Sequence, residues 1–86
     1  MSELITEKFK FSKPAIYQIK VIGNMDKSWF SRLSDMQISL DKNYGEKNEY
    51  HLIGKLKDQA ELLGILNTLF ELHLVLKSVK ILKIQN

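Results

Sequence analysis

One stretch, Asp58 to His73 (DQAELLGILNTLFELH), constrains the fold more than any other. It alone joins a clear start signal to sustained helical periodicity. Asp58 can accept a backbone N–H of the first turn, and Glu61 stands where a capping-box carboxylate reaches back. Leu62, Leu66, Leu69, Phe70 and His73 then fall on one side of a helix, with Leu63 and Ile65 at its edges. A helix striped in this way needs an apolar surface to lie on, and the rest of the chain reads as short β-rich segments.

The first of these, AIYQIKVIG from Ala15 to Gly23, alternates as a strand does. Tyr17, Ile19 and Val21 face one way, Gln18 and Lys20 the other, and Ile16 and Ile22 make the second face less than fully polar. Asp26 then reads as a second helix cap, and KSWFSRLSDM as a short helix burying Trp29, Phe30 and Leu33. Gln37–Lys42 forms a second strand with Ile38 and Leu40 inward, and the polar run Asp41–Glu49 a loose hairpin connection. Glu49–Lys57 forms a third strand, with Tyr50, Leu52 and Leu56 on one side and His51, Ile53 and Lys55 on the other. Gly54 within it marks a bulge or a close backbone approach.

The closing LVLKSVKILKIQN is a strand by its β-branched density (Val75, Val79, Ile81, Ile84), although Lys77, Lys80 and Lys83 recur at a spacing that also suits a helix. Residues 1–14, with Phe9 and Phe11 alternating with lysines, form an N-terminal arm or an edge strand. Residues 15–86 form a single domain. The order strand, helix, strand, strand, helix, strand predicts a ferredoxin-like α+β fold, βαββαβ, with two helices on one face of a four-stranded antiparallel sheet and the other face open.

Length and charge bound the rest. A chain of 86 residues makes one domain and buries roughly 60% of the surface its unfolded form exposes. No cysteine is present, so disulfides and thiolate metal sites are excluded. The N-terminus has no apolar run, and Leu62–Phe70, the longest uncharged stretch, falls far short of the ~20 residues that span a bilayer. The expectation is a soluble, cytoplasmic protein. Net charge is +3, yet twelve of the thirteen basic residues are lysine and Arg32 is the only arginine, the residue that clamps phosphates and reads guanine edges.

The segment KLKDQAELLGILNTLFELHLVLKSVKI resembles a group of small bacterial proteins of no assigned activity. They share a strand, then DQA-x-L-x-G-x-L, then a leucine-rich helix end and a Ser-Val strand. The matching residues are Asp58, Gln59, Ala60, Leu62, Gly64, Leu66, Leu69 and Ser78-Val79, and Gly23, Met25-Asp26 and Trp29 resemble the group's first βα unit. The chain departs from the group at Leu72-His73-Leu74-Val75, where the group has Gly-Leu-Pro. The motif packs a helix and implies no chemistry.

No catalytic, cofactor or metal site is expected. His51 and His73 have no Cys or G-x-S-x-G nucleophile to serve, and no third and fourth metal ligands at useful spacing. Asp26 and Asp58 are accounted for as caps, and Asp35, Asp41, Glu46 and Glu49 as solubilising charge beside loops. The open sheet face, carrying Gln18, Lys20, Ser39, His51, Ile53 and Lys55, is the candidate interface. Its mixture of isoleucine and lysine stems suits protein contact, and an open sheet gains by pairing with a second copy. The reading is therefore a non-catalytic binding or regulatory module acting as a homodimer. An ACT-like small-molecule sensor is one alternative, and a weak nucleic-acid binder another, although the third strand lacks the aromatic signature of sheet-face RNA binders.

Overall fold

The computed structural model describes residues 14–26, 28–29, 33 and 36–84. Four strands, β1 (Ala15–Gly23), β2 (Gln37–Tyr44), β3 (Lys47–Leu56) and β4 (Val75–Ile84), form one sheet in the order β2-β3-β1-β4. Every neighbouring pair is antiparallel. Helix α1 (Gln59–Glu71) joins β3 to β4. Both of those strands run against β1, so they are parallel to each other with β1 between them.

Among the described residues there is one α-helix where two were expected. The helix read over 27–36 lies largely outside the described residues, as do residues 1–13. What is described there is a 3₁₀ turn at Ser28–Trp29, with Asp26 Oδ1 accepting from Ser28 N at 3.1 Å.

The strand alternation holds in β1 and β3, whereas Leu40 of β2, expected inward, is 60% exposed on the outer strand. Ala15, Tyr17, Ile19 and Val21 of β1 and Tyr50, Leu52 and Leu56 of β3 are buried on the side that α1 covers. Each apolar side chain fully buried there contributes about 1.5–3 kcal/mol. Burial among these residues raises the pKa of the Tyr17 phenol, so it stays neutral. Leu33, Met25, Met36 and Leu74 close the same core from the connections, with Trp29 packed against it.

Helix α1 starts as its sequence dictates. Asp58 Oδ1 accepts from Glu61 N at 2.9 Å, and Glu61 Oε1 accepts from Lys57 N at 2.8 Å. A cap of this kind contributes about 1 kcal/mol.

The buried stripe is rotated from the expected one. Ile65 and Leu69 are buried and Leu62, Leu66 and Leu72 pack against the core, while Phe70 is 52% exposed and His73 is exposed. Successive helical residues are about 100° apart, so a stripe centred on Leu69 turns Phe70 outward.

The helix ends without a glycine. His73 takes φ 61°, its N–H donates to Phe70 O at 2.9 Å, and Leu74 N donates to Leu69 O at 3.2 Å. These are the two bonds of a Schellman motif, with His73 in the left-handed position that glycine usually fills.

The expected loose connection over Asp41–Glu49 is instead a tight hairpin. Tyr44 pairs with Lys47 across Gly45-Glu46, and Asn43 and Asn48 join side chains at 3.1 Å. Gly45 at φ 70° supplies the conformation that the first position of a two-residue type II′ turn requires.

Candidate functional site

The sheet face away from α1 can be laid out from the register. Read across β2, β3, β1 and β4, its rows are Lys42, Glu49, Ile22 and Val75; Ser39, His51, Lys20 and Ser78; Gln37, Ile53, Gln18 and Lys80; and, from β3 on, Lys55, Ile16 and Lys83. All six residues expected at the interface therefore share this face. They are not equally available: Ser39, Ile53 and Lys55 are exposed, whereas Gln18, Lys20 and His51 are half-buried. Of the more exposed apolar side chains, Val75 lies on this face, while Leu40 of β2 and Leu63 and Phe70 of α1 lie elsewhere.

The feature that sequence reasoning missed is Glu49. Its place in the polar run suggests solubilising charge beside a loop, but β3 begins two residues before it, and its side chain is only 2% exposed. Burying a carboxylate is costly unless it is paired and hydrogen-bonded. Here Glu49 Oε1 accepts from Lys77 Nζ at 2.8 Å, and Glu49 Oε2 lies 2.7 Å from His51 Nε2. Asp41 Oδ2 completes the cluster at 3.5 Å from the same nitrogen.

Two irregularities in the pairing bring these residues together. Leu40 pairs with Tyr50 and Lys42 with Glu49, which leaves Asp41 as an extra residue in β2. Val21 pairs with Leu76 and Lys20 with Ser78, which leaves Lys77 extra in β4. A β-bulge re-aims the side chain it inserts. Each outer strand thus turns one charged residue towards Glu49 on the inner strand β3.

The third and fourth ligands that sequence spacing does not offer His51 are approached in the fold by two carboxylates. Donor atoms of Asp41, Glu49 and His51 all lie within 4.8 Å of one another. His73, at the helix end, has no part in the cluster. Asp58 caps α1, and Asp26 accepts from Ser28 N at the 3₁₀ turn.

An α+β domain, a four-stranded antiparallel sheet with one helix among the described residues, is the class these elements define. The chain belongs to the family described as "Domain of unknown function (DUF8691)", whose model matches residues 16–80. It matches no curated protein and no solved structure. No helix among the described residues is long and apolar enough to cross a membrane.

Proposed function

We propose that this is a non-catalytic binding module of ferredoxin-like βαββαβ plan, whose open sheet face engages an acidic protein surface. The placement of β1 between β3 and β4, and of β3 between β1 and β2, supports that plan. The observation that carries the function is the charge of the open face. Among the described residues, Lys20, Lys42, Lys55, Lys77, Lys80 and Lys83 lie there with two carboxylates, Asp41 and Glu49. Ile16, Ile22, Ile53 and Val75 stand between the charges and supply apolar contact area. A nucleic acid would use stacking aromatic rings on such a face, but by register Tyr17 and Tyr50 point into the core.

A second reading, the homodimer, has one observation in its favour. Asp41 and Glu49 lie towards one end of the face and Lys55 and Lys83 at the other. Two copies packed face to face with strands reversed would set unlike ends over each other. The excess of lysine opposes that pairing and favours a partner of opposite charge.

The test is binding to poly-L-glutamate at low and high salt, comparing the parent with K55E/K80E/K83E. A close ion pair in water contributes about 1 kcal/mol, so the triple variant is expected to lose on the order of 100-fold in affinity. Equal binding by parent and variant would contradict the proposal. Tighter binding to poly(U) than to polyglutamate would reassign the face to nucleic acid. A dimer in the native mass spectrum that the triple variant abolishes would establish the second reading.

A further inference from the structure

We infer that Asp41, Glu49 and His51 form a binding site for one divalent transition-metal ion of the zinc class. This goes beyond the acidic-partner reading and does not depend on it.

The donor set is one imidazole nitrogen and two carboxylate oxygens, a combination that suits zinc-like ions better than magnesium or calcium, which prefer all-oxygen shells. The three donor atoms already converge, with His51 Nε2 at 2.7 Å from Glu49 Oε2 and 3.5 Å from Asp41 Oδ2. Zinc bonds to such donors at roughly 2.0–2.2 Å, so side-chain adjustment alone can close the shell.

The surroundings also call for a cation. Glu49 is buried, so its charge is poorly hydrated and must be matched locally. Lys77 is 42% exposed on the side chain, so it can withdraw into water as an ion takes its place beside Glu49. Asp41 shares the face of Ser39 by strand alternation, and the β2 bulge sets Lys42 opposite Glu49 beside it. Three protein donors leave a fourth position open to water or to a partner's side chain.

The same residues could instead form a metal-free ion network, and Lys77 separates the two cases. In the metal site Lys77 competes with the ion, whereas in the network it is an essential partner. The experiment is calorimetric titration and native mass spectrometry of the full chain with zinc chloride, with magnesium chloride as the comparison.

One zinc per chain is expected. Affinity should fall by more than ~100-fold in D41N and H51A, beyond the loss typical of an outer-shell change, and should rise about tenfold in K77M as the competing charge is removed. Should H51A fail to fold, D41N decides the point, because Asp41 is exposed and the change is isosteric. The proposal is overturned if the parent retains no stoichiometric zinc, if D41N retains it equally, if K77M binds it more weakly, or if magnesium binds as tightly.

Discussion

Replacing Lys77 with methionine is expected to lower the stability of the domain by about 2 kcal/mol in urea denaturation. The loss comes from Glu49 rather than from Lys77 itself. Breaking a fully buried ion pair costs about 3–5 kcal/mol, because the remaining charge is left in a medium that solvates it poorly. Two features reduce that figure here. Lys77 is partly exposed, so solvent already screens the pair. His51 also stays 2.7 Å from the other Glu49 oxygen and can carry part of the charge.

The decisive comparison is with the double variant E49M/K77M. Removing both charges leaves nothing buried and unpaired, so most of the lost stability should return. If the double variant is instead less stable than K77M, Glu49 contributes through packing rather than through charge.

Gly54→Ala should cost a similar amount, about 2 kcal/mol, for a purely steric reason. A Cβ built on Gly54 would lie 2.8 Å from Met36 Cα and 2.9 Å from Met36 Cγ. The nearer atom is backbone and cannot rotate away, so the chain entering β2 must lift from the centre of β3. Overpacking of this kind costs about 1–3 kcal/mol.

Gly64→Ala supplies the control. Nothing lies within 4 Å of a Cβ at that position on α1, and relieving a mid-helix glycine should stabilise the domain by about 0.8–1.0 kcal/mol. Thermal melts of the two variants should therefore move in opposite directions. Equal shifts would mean that the approach of Met36 to β3 is not as close as described.

Much of the sheet was legible because alternation is a strong signal when one face is buried. The pattern AIYQIKVIG sorted Tyr17, Ile19 and Val21 from Gln18 and Lys20 correctly, and the third strand sorted Leu52 and Leu56 from Ile53 and Lys55. The Asp58 cap was legible because its physics is local. The orientation of α1 was not, since Phe70 and Ile65 sit on opposite flanks of Leu69 and only the docked sheet decides which is covered.

The candidate site was half legible. His51, Lys20 and Ile53 follow from alternation alone. Glu49 was missed because the polar run DKNYGEKNE reads as a loop, whereas Gly45 allows a two-residue turn that carries both strands through it. Asp41 follows Ser39 by alternation but falls in the same polar run, and Lys77 could not have been placed, because a bulge shifts a strand's face by one residue and leaves no mark in composition.

The central claim is that this protein works through the sheet face opposite α1, and nuclear magnetic resonance mapping tests it most directly. Uniformly 15N-labelled chain would be titrated with poly-L-glutamate, following the backbone amides through the titration. The account predicts salt-sensitive shifts clustered at Lys20, Ile53, Lys55, Lys80 and Lys83, with the amides of α1 unmoved. Shifts centred on Leu63 and Phe70, or none at a concentration that saturates a basic surface, would contradict it.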